Sequence, residues 1–172
     1  AQAMEILYGL SFTVKMSRMG GEEPAGYFEY VVPPLEGLWW TEEPGFDGRG
    51  DVDKSKFLWT SMIRQPDFVT EEVFLWAKER LAVKKPGLDL GRARFWRWEE
   101  GLCAHVLHVG PYDTEPETIH RLDDFLAGQG YAADFSGTRR HHEIYLGDPR
   151  RTAPEKLRTV IRHPVRPSGG GG

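Results

Sequence analysis

Glu143 and Tyr145 stand two residues apart in the run His142-Glu143-Ile144-Tyr145-Leu146. Side chains of a β-strand alternate between its faces, so this spacing sets an acid and a phenol side by side, with His142, Ile144 and Leu146 on the reverse. Such a pair can orient or deprotonate a water molecule and donate a hydrogen bond to an oxygen that gains charge. The bland alternative is a solvated strand face, since most acidic side chains are exposed. Aromatic residues are the second signal: six Trp, nine Phe and six Tyr in 172 residues. A buried indole N–H needs a hydrogen-bond partner, which makes Trp a costly filler, so part of this set is expected to face a ligand. Trp39 and Trp40 are adjacent and diverge in a strand, one toward the core and the other toward a groove. Trp59, between Leu58 and Thr60, belongs either to the core or to an aromatic cage. Tyr112 follows Gly110-Pro111 at a strand end, where it either faces a ligand or caps the turn. The candidate lining is therefore Trp39, Trp40, Trp59, His108, Glu143 and Tyr145, and the candidates for chemistry are Glu143, Tyr145 and Tyr112.

Other chemistries find less support. His105 and His108 are three apart and diverge in a strand, as do His141 and His142, so no metal site is expected. The single cysteine, Cys103, excludes an internal disulfide and suits a reducing cytoplasm. It has no partner base nearby and reads as a small buried hydrophobe. No phosphate-cradling glycine motif occurs, and no cofactor is expected. A net charge of −4 argues against nucleic acid as a partner. No apolar run reaches the ~20 residues of a membrane span, and no leader precedes the first helix, so the protein is read as cytoplasmic.

The elements that must hold these residues follow from periodicity. Residues 2–18 place Ala3, Leu7, Leu10 and Val14 on one helical stripe. Residues 27–32 and 36–40 read as strands parted by Pro33-Pro34, and residues 56–64 as another, after the loop GFDGRGD. Thr70 offers an N-cap to a helix over 70–85. A long strand region spans 93–109. Thr114 and Glu117 have capping-box spacing and open a helix that stops at Gly128. Two strands, 141–146 and 156–162, complete the chain. The second half is β-α-β-β and the first half α-β-β.

This near-repetition predicts an α+β fold of two copies of one module, with helices on one face of an antiparallel sheet and a concave groove on the other. The pseudo-repeats cover about 1–66 and 92–165, joined by helix 70–85, and make one domain over 1–165. Residues 166–172, ending SGGGG, read as an engineered flexible linker. The first module lacks its opening strand. A bare strand edge templates pairing, so a second copy of the chain or a complementing strand is expected there.

The stretches YFEYVVPPLEGLWW, MIRQPDFVTEEVFLWA, EEGLCAHVLHVGPYDTEP and HHEIYLGDPRRTAPEKLRTVIRHPV resemble the GyrI-like small-molecule-binding family from about residue 2 to 165. The resemblance implies a duplicated β-α-β-β fold and a groove for flat, often cationic aromatic xenobiotics, with a strand acid facing the ligand at the position of Glu143. It lacks a helix-turn-helix segment and so resembles the stand-alone members. One stand-alone subfamily hydrolyses the cyclopropane ring of DNA-alkylating natural products through an aromatic cage, and its motifs are similar to these. Two functions are thereby implied: a cyclopropanoid hydrolase that protects the cell, or a module that sequesters cationic aromatic drugs without chemistry.

Overall fold

The structure is a computed structural model that describes residues 2–42 and 53–169. The glycine-rich loop beginning at Gly45 and the end of the glycine tail lie outside the described residues. The chain divides into two compact units, Ala1–Pro34 with Ser61–Trp98, and Leu35–Thr60 with Glu99–Gly172.

The first unit is built on two helices. Helix α1 (Gln2–Lys15) buries Ile6, Leu10 and Val14. These meet Val69, Leu90, and the Ala77 and Leu81 stripe of helix α2 (Glu71–Lys84), with Phe68, Phe74, Trp76 and Phe95 packed around them. Thr70 caps α2 as expected, its side chain accepting from the Val73 N–H at 3.3 Å. Thr70→Ala should therefore cost about 1 kcal/mol, read as a lower urea midpoint; an unchanged midpoint would remove the cap from the account.

One expected strand is not formed here, and the expected region 93–109 is a strand only from Cys103 onward. Residues 27–32 carry no strand. Instead Tyr27, Phe28 and Tyr30 gather on Phe68, with ring centroids 5.2, 5.3 and 5.8 Å away. The Tyr27 hydroxyl donates to the Lys15 carbonyl at 2.7 Å, satisfying an open acceptor at the end of α1. Residues 93–100 are likewise irregular. Phe95 stacks on Phe74, and Trp96 on Trp98 at 4.9 Å. In both segments ring packing takes the place of the ladder that alternation alone would predict.

The second unit holds the sheet. Its strands are β1 (Leu35–Trp40), β2 (Leu58–Ile63, of which the first three residues belong here), β3 (Cys103–Val109), β4 (Tyr131–Ala133), β5 (His141–Tyr145) and β6 (Arg158–Pro167). Helix α3 (Glu115–Gly128) follows β3. The six strands run in the order β2-β1-β5-β6-β3, with β4 beside β6. The β1–β5, β5–β6, β3–β6 and β4–β6 pairings are antiparallel. This is the α+β class expected. The short β4 was not expected, and β6 runs further than 162 because residues 165–167 pair with β4.

Register fixes the two faces, because residues directly opposite one another share a face. One row reads Gly37, Glu143, Ile161, Val106 and the next Trp39, His141, His163, Ala104. Ala104, Val106 and Val165 pack against Leu122 and Leu126 of α3. Glu143 and Tyr145 thus lie on the face that α3 covers, not on a groove face opposite the helices as expected. Alternation could not settle this, because the reverse face buries polar groups by pairing them. There His142, 1 % exposed, sits between the Glu100 and Glu36 carboxylates at 2.9 and 2.8 Å, while Leu146 is 52 % exposed. Both His142 nitrogens face acceptors, so the ring is an imidazolium. Arg162 donates to the other Glu100 oxygen at 3.1 Å.

Burial opposes the charged form of His142, but its bonds to Glu100 and Glu36 prevail and raise its pKa above 6.5. A raised folded-state pKa means that this contribution is fully present below about pH 6.5 and is lost as pH rises through the folded value. The stability advantage of the protein over a His142→Gln variant should therefore shrink as pH rises above about 6.5 in urea unfolding. A gap independent of pH would contradict the imidazolium assignment.

Candidate functional site

Three strand residues at period two, His141, Glu143 and Tyr145, meet the start of α3 on the covered face of the second unit. The Tyr145 hydroxyl donates to Glu143 Oε2 at 2.6 Å, and the Trp39 indole N–H donates to that hydroxyl at 2.9 Å. His141 Nε2 lies 2.8 Å from Glu143 Oε1, and its Nδ1 lies 2.6 Å from His163 Nε2. Both oxygens of Glu143 are thus engaged. Glu115, in the first turn of α3, supplies a second buried carboxyl at 8 % exposure. A helix N-terminus favours an acid there, yet its Oε1 has no hydrogen-bond partner.

The two acids are driven apart in proton affinity. Burial, then the charge of Glu143 and a hydrogen bond with it, push the Glu115 carboxyl far above its ordinary range. Burial acts the same way on Glu143, but hydrogen bonds from His141, Tyr145 and Glu115 outweigh it and hold its pKa below the usual value. At neutral pH Glu115 carries the proton and Glu143 the charge. Two neighbouring carboxyls in different protonation states are an acid–base pair. Burial, with the adjacent Glu143 charge, also raises the Tyr145 pKa, so this phenol stays a donor.

An aromatic cluster adjoins the carboxylate through Tyr145. Trp39 stacks with Trp59 at 5.9 Å and meets Phe57 edge-on at 6.0 Å. Tyr112 lies edge-on to Tyr145 at 6.2 Å. Trp59 and Tyr112 are exposed, whereas Glu143 is buried, so the cluster runs from surface rings down to a charge. Gly37 makes the convergence possible. A Cβ there would fall 2.9 Å from Trp39 Nε1 and 3.0 Å from the Tyr145 hydroxyl.

Of the residues expected from sequence, Glu143, Tyr145, Trp39, Trp59 and Tyr112 come together. Trp40 points to the reverse face, under the Arg140 guanidinium at 3.4 Å from the ring centroid. His108 shares the covered face but is occupied locally. Its Nε2–H donates to the Pro111 carbonyl at 2.9 Å, so Nδ1 accepts from the Thr118 hydroxyl at 2.8 Å. These bonds, with Gly110 at φ +136°, fix the turn that aims Glu115. The expected capping box is not made, since Thr114 bonds to Pro111 instead of the helix. Glu115, His141, His163 and Gly37 were missed. His141 had a legible signal, because it lies two residues before Glu143; the other three come from elements whose register the sequence does not state.

The family described as GyrI-like small molecule binding domain matches residues 12–166. A crystal structure of a hydrolase from Listeria innocua superposes with a TM-score of 0.85 at 44 % identity, over 96 % of this chain and 78 % of the other. An uncharacterized conserved protein from the same organism gives 0.84 at 46 % identity, over 96 % and 79 %. No curated protein matches the chain. Among the described residues no helix is long and apolar enough to cross a membrane.

Proposed function

The chain belongs to the GyrI-like small-molecule-binding family, and from that premise we propose that it binds flat aromatic molecules at Glu143 and adds water to a strained, electrophilic ring in them. The observation that carries this reading is the buried Glu143, held as the carboxylate beside the protonated Glu115 and hydrogen-bonded to Tyr145, which joins it to the Trp39, Trp59 and Tyr112 rings.

The chemistry is addition of water to a cyclopropane conjugated to a carbonyl. The rings hold the flat substrate in register, which supplies most of the acceleration by orientation. Glu143 takes a proton from water as the oxygen bonds to the ring methylene. The strained carbon–carbon bond breaks, its electron pair passes to the conjugated carbonyl oxygen, and that oxygen takes a proton from solvent to become a phenol while Glu143 releases its own, so that one water is added overall. Tyr145 already donates to Glu143, which leaves Tyr112 as the donor to the carbonyl. The hydrolase name of one structural neighbour is consistent with this reading. Incubation with a cyclopropane-bearing alkylator should give its water adduct in a protein-dependent manner by mass spectrometry. Recovery of unchanged alkylator would exclude the reaction.

A second reading, sequestration without turnover, is favoured by the same charge. A ligand cation could rest against Glu143 and the Trp39 and Trp59 faces. It predicts that Glu143→Gln weakens cationic flat ligands far more than neutral ones of the same shape. Equal losses for both would remove the charge from recognition.

A further inference from the structure

We infer that the free edge of β3 is the surface on which two copies of this chain pair into one continuous sheet. β3 is the last strand in the order β2-β1-β5-β6-β3, so only one of its sides has a partner. Register shows which backbone groups face the open side. Residues 103–109 oppose 164–158 of β6, and the pairing runs past both ends of the strand, where the Val165 N–H donates to the Leu102 carbonyl at 3.0 Å and the Gly110 N–H to the Leu157 carbonyl at 2.9 Å. Every second residue of an antiparallel strand bonds to a given neighbour. Ala104, Val106 and His108 therefore bond to β6, while Cys103, His105, Leu107 and Val109 turn their N–H and C=O groups outward. Among the described residues no hydrogen bond reaches these outward groups.

Such an edge is a template for another strand, and folded proteins blunt it with lysine, proline, a bulge or a very short strand. β3 carries none of these. Its seven residues, CAHVLHV, hold no proline and no formal charge, and Leu107 and Val109 are 46 % and 55 % exposed. A second copy of the same strand fits this edge along its whole length. With a twofold axis at Val106, Cys103 pairs with Val109 of the other copy and His105 with its Leu107, so that every outward donor meets an acceptor. No like charges are brought opposite one another. The contact is isologous and uses each edge once, so it closes at a dimer. β3 opens the second module, which makes this edge distinct from the one expected where the first module lacks its opening strand, and the pairing does not depend on the proposed hydrolysis.

Sedimentation equilibrium of the unaltered chain should give a mass that rises with concentration toward twice 19.6 kDa. Leu107→Lys sets a charge on the edge at a side chain that is already exposed, and should abolish the dimer while circular dichroism shows the fold kept. A chain that stays monomeric, or a dimer that survives this substitution, would overturn the pairing. Should that variant fail to fold, Val109→Cys decides. Hydrogen-bonded pairs hold their Cα atoms about 5.5 Å apart, within disulfide range, so mild oxidation should join the introduced thiol to Cys103 of the other copy. Within one chain the two positions lie about 20 Å apart along β3 and cannot bridge. A covalent dimer in non-reducing electrophoresis of that variant, absent from the unaltered chain, supports the register; no covalent dimer, or equal crosslinking of the unaltered chain, overturns it.

Discussion

Glu143→Gln is expected to slow water addition to a cyclopropanoid alkylator by about 10²–10⁴-fold, the usual worth of a positioned general base. The substitution keeps the shape and removes the charge. His141 can still donate to the remaining oxygen, but the Tyr145 hydroxyl then meets an amide in place of an acceptor, and the proton of the attacking water has nowhere to go. Rates of adduct formation for the two proteins, with near-ultraviolet circular dichroism to establish that the variant is folded, measure the effect. A rate within a factor of about two would show that the carboxylate takes no part in the step.

A comparably large effect is expected from a residue with no functional group. Gly37→Val should separate Trp39 from Tyr145, because its Cβ would fall 2.9 Å from the indole nitrogen and 3.0 Å from the phenol oxygen. Neither ring can yield without losing the 2.9 Å bond that joins them. Forcing a side chain into packed space costs about 1–3 kcal/mol, and the lost hydrogen bond about 1 kcal/mol more. In a chain of this length each kcal/mol lowers Tm by about 2–4 °C. The variant should melt earlier, show altered tryptophan emission, and turn over little substrate, since the cage would no longer be set. Unchanged melting and emission would mean that the space over Gly37 is less crowded than described.

The parts of this fold that were legible in the sequence are those whose signals are local. Thr70 followed by two glutamates marked the start of α2, and Pro86-Gly87 its end. The Glu143/Tyr145 alternation marked a strand with an acid and a phenol on one face, and they are hydrogen-bonded there. What failed depended on partners distant in sequence. Residues 27–32 alternate like a strand, but Phe68, more than thirty positions later, offers their rings a better surface. The choice of covered face failed for a related reason. Ile144 and Leu146 look like the core side, yet the core side is the one lined by Ile161, Val106 and Val165, while His142 is buried by carboxylates from residues 36 and 100. In the sequence nothing distinguishes Glu115 from an ordinary first-turn acid. Only the turn held by His108 brings it to Glu143.

The central claim is that flat aromatic ligands are held at Glu143 by the surrounding rings. The most direct measurement is a crystal structure of the protein with a non-hydrolysable, flat aromatic analogue bound. Its ring is expected within about 4 Å of Trp59 or Trp39, the contact distance of packed aromatic carbons, with a polar atom in hydrogen-bond reach of Glu143 or Tyr112. An analogue seated on the reverse face, against Trp40 and the Glu36–His142–Glu100 group, would contradict it.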